Sequence, residues 1–315
     1  MKNILTSILK WFKEKRKSED SEESDANELS GGALCGEFYI GYNKMVRFSK
    51  GNLQFNAVQG THKTADGKVM PGTWRFAEHQ WDTIGEGNKE SSETYDGFVD
   101  FFCWGTSGWE EAQQPWSTSG YNANVDSLTG TCANADWGVY NAISNGGNEP
   151  NKWRTLTYGE WRFLLKYNKW SMGTIDGKLC FLLIPEKVTN LVELSEMGMG
   201  VADKSFESVE YESNTFTAEQ FKKYENQGVV ALPCGGNRNG MKMDDYPFNS
   251  IGSYWTSSAP HPRCAFIFDI TRRYVQVNAY NYDDRNSGIS VRLVQDSLTR
   301  GEVPHPINPF KLVLP

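Results

Sequence analysis

The sequence predicts an α+β fold of mostly short antiparallel strands, with two helices and long Trp/Gly-rich loops. Three observations lead to it. Gly is abundant at 30 residues and aromatics reach 13%, a pairing that suits strands, loops and turns better than a helical bundle. Only two segments within the folded region combine an N-cap signal with a helical apolar face. The other apolar runs are short and end at Gly, Asn or Pro. A chain of 315 residues makes one large domain or two small ones, with ample core.

Taken in order, residues 1–16 predict an amphipathic anchoring helix. Ile4, Leu5, Ile8, Trp11 and Phe12 share one face, with Lys and Ser opposite, as in a helix that docks on a partner or a membrane surface. The apolar stretch breaks at Lys10 and no small-residue cleavage site follows, so it does not read as a signal peptide. No apolar run approaches the ~20 residues of a transmembrane helix. Residues 17–32, acidic and Ser-rich, predict a solvated linker, and a single domain is expected over 33–295.

Within that domain, Glu37–Tyr42 and Met45–Phe48 predict a hairpin around Asn43-Lys44. Trp-rich, Gly-punctuated loops over 74–150 are too long for ordinary connections and should pack on their own aromatics. Thr157 caps a helix, with Glu160 three residues on as in a capping box and Trp161, Leu164 and Leu165 on the apolar face. Leu179–Ile184 is a strand stopped by Pro185. Thr217 caps a second helix, to Asn226, with Phe221 and Tyr224 inward. Val229–Leu232 follows as a strand, and Tyr254–Ser257, Ala265–Ile270, Tyr274–Val277 and Ile289–Leu293 are expected to complete an antiparallel sheet. Residues 296–315 contain His305-Pro306-Ile307-Asn308-Pro309, which cannot continue a central strand, so an extended arm is expected.

The residues that could carry chemistry are scattered. A net charge of −7 offers no basic surface, and no nucleic-acid partner is expected. The six cysteines (35, 103, 132, 180, 234, 264) form no CxxC pair, and Cys103 and Cys180 read as small buried hydrophobes. The four histidines (62, 79, 261, 305) share no metal-ligand spacing, and His79 reads as a framework side chain. No phosphate loop or nucleophile motif occurs. A non-enzyme without cofactor or metal is expected.

The window Thr256–Arg292 is unusual in what it lacks. It contains no Lys, Glu, Met or Trp, where composition alone would place about seven. Apart from Gln276, every residue in it can be encoded by a codon ending in C or T, the outcome expected when the first two adenines of Asn codons are randomised. Around it stand Gly252-Ser253-Tyr254-Trp255-Thr256-Ser257-Ser258 and Gly288-Ile289-Ser290-Val291-Arg292-Leu293-Val294. Upstream lie Val46-Arg47-Phe48-Ser49-Lys50-Gly51-Asn52-Leu53-Gln54, Trp74-Arg75-Phe76, Trp104-Gly105-Thr106-Ser107-Gly108 and Trp153-Arg154-Thr155-Leu156-Thr157 with Glu160-Trp161. This series, in this order, resembles the C-type-lectin-like proteins of the formylglycine-generating-enzyme type. Within that group it is similar to the variable proteins of gut bacteria and their phages that are diversified by retroelements.

The resemblance implies a C-type-lectin-like fold with Trp74, Trp81, Trp104, Trp153 and Trp161 in its core, leaving Trp109 and Trp116 as the more exposed indoles. The enzymatic relatives use closely placed cysteines or a His triad, and neither is matched. Glu149-Pro150-Asn151 looks like the tripeptide of calcium-dependent lectins but stands before the first helix signature rather than far beyond the second. What remains is a ligand-binding surface at the turns of the C-terminal segment: Ala259, Pro260, His261, Pro262 and Arg263; Thr271, Arg272 and Arg273; and Asn278, Tyr280, Asn281, Tyr282, Asp283 and Asp284. Asp269 falls with them at a strand end. Tyr, Arg, Asp and Asn make a paratope-like composition, for which a host-surface protein or a glycan is the expected partner. A virion fibre or decoration protein, homo-oligomeric or part of a larger assembly through residues 1–16 and the C-terminal arm, fits this reading; a bacterial surface protein is the alternative.

Overall fold

The computed structural model describes residues 31–121, 125–185, 203–205, 214–243, 249–276 and 281–297. The anchoring helix, nearly all of the acidic linker and of the C-terminal arm, and the candidates Asn278 and Tyr280 lie outside the described residues. The described chain is α+β, mostly strands with few helices.

Four strands form one sheet in the order Phe38–Gly41, Lys44–Phe48, Leu293–Asp296, Arg154–Thr155. The predicted hairpin turns at Asn43, whose φ of 58° is a left-handed conformation that Asn tolerates. Thr215–Phe216, Lys169–Ile175, Lys178–Ile184 and Val230–Pro233 make a second four-stranded sheet. The largest runs Lys242–Met243, Arg238–Asn239, Ser287–Ser290, Ile251–Trp255, Cys264–Thr271, Tyr274–Gln276, Asp203–Ser205, with Phe101–Phe102 and Tyr282–Asp284 alongside. Leu53–Lys63 and Val69–Phe76 form a long separate hairpin.

Two strand expectations need correction. Ile289–Leu293 is not one strand: Ser287–Ser290 and Leu293–Asp296 belong to different sheets, and the buried pair Val291-Arg292 carries the chain across. Nor is the large sheet wholly antiparallel, since Ile251–Trp255 and Ser287–Ser290 run parallel where Tyr254 meets Ser290.

Among the described residues three α-helices interrupt the strands: α1 (Trp137–Tyr140), α2 (Tyr158–Tyr167) and α3 (Ala218–Glu225). The first was not anticipated and is a single turn capped by Asp136. The other two start as their sequences require. Thr157 accepts from the Glu160 amide at 3.1 Å while Glu160 accepts from the Thr157 amide at 2.9 Å, and Thr217 and Gln220 repeat the exchange. Each box satisfies two amides that the helix cannot.

Helix α2 buries Trp161, Leu164 and Leu165, and Trp161 stacks on Phe268 of the large sheet at 4.5 Å. Trp74, Trp104, Trp153 and Trp161 are all but sealed from solvent, and Trp81 is buried too. Trp109 and Trp116 are half-buried. The long loops over 77–121 and 125–136 pack on the indoles: Trp104 Nε1 donates to Thr256 O and Trp255 Nε1 to Phe102 O, both at 2.7 Å. At one crossing the backbones nearly touch, and a Cβ on Gly36 would lie 2.1 Å from the Gly228 carbonyl oxygen, so only glycine fits.

Candidate ligand-binding surface

The strand Cys264–Thr271 organises the described candidate residues. At its start the turn Ala259–Arg263 enters, and Tyr282–Asp284 pairs beside it with Cys264 opposite Asp284 and Phe266 opposite Tyr282. At its far end the chain reverses at Arg272-Arg273 into Tyr274–Gln276. The eight residues between, at ~3.3 Å each, put the two ends on the order of 20 Å apart. The structure therefore gathers 259–263 with 282–284 and leaves Arg272 and Arg273, both exposed, as a separate patch.

Pro260, His261, Pro262, Arg263, Tyr282 and Asp284 are exposed, Ala259 and Asp283 half-buried. Three other expectations are corrected. Thr271 is buried and its hydroxyl accepts from the Arg273 and Tyr274 amides, so it shapes the reverse turn. Asn281 is buried, and its Nδ2 donates to Ile267 O. Asp269 is buried and accepts from the Ser253 hydroxyl at 2.9 Å. Thr271 is held by the local turn, whereas Asn281 and Asp269 are turned inward by partners remote in sequence. Asp283 accepts from the Ser287 hydroxyl at 2.8 Å and from the Asp284 amide, and thus fixes the local turn.

Beneath the exposed residues lies Arg285, with no solvent exposure. Its Nη1 donates to Val125 O at 2.7 Å, Nη2 to His261 O at 2.9 Å and Nε to Cys264 O at 3.2 Å. The guanidinium lies 4.3 Å over the Trp104 ring, a cation–π contact, and the Arg285 amide donates to Arg263 O. One buried side chain thus pins the turn, the loop at Val125 and the strand end together. Burial pushes its pKa down, but a guanidinium remains charged across the physiological range. Ser127 bridges to Ser258, and Leu128 N donates to Ser257 O, which draws the same loop along the border of the surface.

An aromatic shelf extends this surface. Phe266 and Tyr282 are cross-strand partners, so their side chains leave the same face. Tyr158, at the start of α2, stacks on Phe266 at 4.3 Å, and Arg162 donates to the Tyr158 hydroxyl at 3.0 Å. Tyr282 is 49% exposed. Tyr158 and Arg162 were missed from the sequence: their four-residue spacing on one helix flank was visible, but only helix-on-sheet packing brings Tyr158 onto Phe266, the cross-strand partner of Tyr282.

Among the described residues no three His, Cys, Asp or Glu side chains gather as for a metal ion. The Cys264 thiol donates to Asp284 at 3.5 Å, and burial with that carboxylate pushes its pKa up, the opposite of a nucleophilic thiolate. Cys234 is buried beside Gly252, which pairs with Ile270, near the other end of the strand that Cys264 begins. His79, expected in the framework, is exposed and stacks on Trp81 at 5.2 Å. Cys103 and Cys180 are buried as read. No protein-family model, curated protein or solved structure matches this chain.

Proposed function

We propose that the protein is a non-catalytic binding protein that displays a changeable surface, 259–263 with 282–284, on a C-type-lectin-like scaffold. The carrying observation is Arg285. It holds the turn through carbonyl oxygens of His261 and Cys264 rather than through their side chains, so the exposed side chains can change while the backbone stays in place. The buried Trp series and the α+β strand order support the C-type-lectin-like reading of the scaffold. Buried Cys234, remote along the sheet from Cys264, supports the absence of the oxidising chemistry of the enzymatic relatives.

The surface mixes Arg263, His261, Asp284 and a half-exposed Tyr282, a composition suited to a host-surface protein or a glycan. The shelf of Tyr158, Phe266 and Tyr282 favours a glycan that offers C–H faces to aromatic rings. Display on a virion would multiply weak contacts into avidity. Replacing Arg263, Tyr282 and Asp284 by Ala should abolish retention on a host-surface protein and glycan array that the parent chain binds, with the melting temperature nearly unchanged. Turnover, or stoichiometric iron or copper in the pure protein, would favour a sulfatase-modifying type of enzyme instead.

Diversification has its own test in the flanking DNA. A near-copy of the segment should align Asn codons with those for Pro260, His261, Arg263, Arg272, Tyr280 and Asp283. The codons of Gln276 and the buried Arg292 should be unchanged. Absence of such a template from the genome would leave a plain binding domain.

A further inference from the structure

A second constellation lies between the hairpin Leu53–Lys63/Val69–Phe76 and the loop that carries Ser107 and Trp116. Here Phe55, Tyr140, Pro115 and Trp116 wall a pocket of about 20 Å³, room for one water-sized group. Pro71 is exposed and Met70, Gln114 and Trp116 are half-buried, so the pocket reaches the surface on their side.

Two side chains set its chemistry. His62, 8% exposed, has Nδ1 at 2.9 Å from the Gly72 carbonyl oxygen. A carbonyl only accepts, so Nδ1 carries the proton and Nε2 of the neutral ring is left as an acceptor. Asn141, fully buried, donates its amide hydrogens to Ser107 O at 2.9 Å and Trp137 O at 3.1 Å. Those two carbonyls fix the amide orientation, because the reverse would face Oδ1 against both. Asn141 Oδ1 has no donor among the described residues. Asn141 lies within hydrogen-bonding reach of the His62 ring and, with the Gly72 carbonyl, favours its charged form, but burial is the larger effect and pushes the His62 pKa down, which keeps the ring in its neutral, accepting form near neutrality.

In the Nδ1-protonated neutral ring, His62 Nε2 and Asn141 Oδ1 are two acceptors in one pocket with no donor among the described residues, and they call for a group that brings at least two hydrogens. A hydroxyl brings one. An ammonium head brings three, fits the volume, and is further attracted by aromatic faces; Phe55 and Trp116 are stacked at 6.2 Å. The Tyr140 hydroxyl donates to Asp66 at 3.3 Å, which sets a carboxylate near the pocket. Lys68, the neighbouring cation, is engaged by that carboxylate at 2.7 Å.

We propose that this pocket is a binding site for a primary ammonium head, which donates to His62 Nε2 and Asn141 Oδ1 while its methylene stem lies against Trp116. The head could be supplied by a lysine side chain or by an amino sugar, and the same titration separates them. The full chain, labelled at its histidine rings and indole nitrogens, is titrated with n-butylammonium at about pH 7.5 and followed by NMR. Saturable shifts confined to His62 and Trp116 are expected. They should weaken progressively as pH falls below the lowered His62 pKa, where a proton on Nε2 competes with the ligand, and about tenfold in Trp116→Ala. Nα-acetyl-lysine methylamide and glucosamine are then compared, the stronger response naming the source. An equal response to n-butanol, or to tetramethylammonium, which has charge but no N–H, overturns the proposal. So does no response to n-butylammonium, which would mean the pocket holds water only.

Discussion

Three arginines, Arg238, Arg285 and Arg292, are almost wholly buried, and each uses its fork to satisfy oxygens remote in sequence. Arg292 donates to Asn52 Oδ1 and Gln80 Oε1, both at 3.3 Å, and Gln80 Nε2 in turn donates to Glu225 at 3.0 Å. Gln80 thereby relays a buried positive charge, its pKa pushed down to about 10 by burial, toward a carboxylate. Arg238 lies on Gly288, where a Cβ would meet its Cζ at 2.8 Å. Removing such a fork strands several carbonyls at once. Arg285→Met should lower the unfolding free energy in urea by about 3 kcal/mol. Tyr282→Ala, which removes an exposed ring, should change it by no more than about 0.5 kcal/mol. Equal losses in the two variants would show that Tyr282 belongs to the framework and not to a binding surface.

The helices α2 and α3 were the elements most fully readable from sequence, because cap, capping box and apolar period all lie within one local window. Thr157→Ala should therefore cost about 1 kcal/mol, and more if Glu160, freed from the box, also loosens Arg154, which it holds at 2.8 Å. Thermal melts of Thr157→Ala and Thr157→Ser separate the cap from the loss of the methyl group. The strands Lys178–Ile184 and Cys264–Thr271 could be read as buried apolar runs. Leu53–Lys63 could not, since half of it is exposed and carries Gln, Gly, Thr and His, which breaks the alternation that marks a strand. Lys169–Ile175, with Lys, Ser and Gly between its apolar residues, was hidden for the same reason. At the candidate surface, composition pointed to the exposed turn residues. It could not reveal that Asn281 and Asp269 turn inward, because their partners are set by pairing across the sheet, nor that the Thr271 hydroxyl is taken up by the amides of its own reverse turn. The His62–Asn141 pocket was likewise beyond local reading, its two acceptors standing far apart in the chain.

For the molecule as a whole, buried ionisable groups fix the direction of its pH response. Burial pushes the carboxyls of Asp100, Asp136 and Asp269 up to about 6. A carboxyl raised above its unfolded value binds more protons in the native state, so its contribution to stability is fully present below the unfolded pKa and is lost as pH rises through about 6. His62, pushed down by burial, acts oppositely: stability is lost as pH falls below the unfolded value of about 6.5. With three carboxyls against one imidazole, melting temperature should rise as pH is lowered from about 7.5 toward about 5.5. A steady fall over that range in differential scanning calorimetry would contradict this assignment. The seating of Leu293–Asp296 between Lys44–Phe48 and Arg154–Thr155 has a consequence for any substitution in the window 256–292. Loop closure over such separations is slow, and the sheet that begins near residue 38 stays open until the chain beyond the window 256–292 has docked. A substitution in that window that disturbs the turn or the crossing at Val291-Arg292 would leave Lys44–Phe48 as a bare edge, prone to aggregate. Under the diversification proposed above, folding itself would thus act as the first proofreader of the surface, discarding unsound versions before any of them meets a ligand.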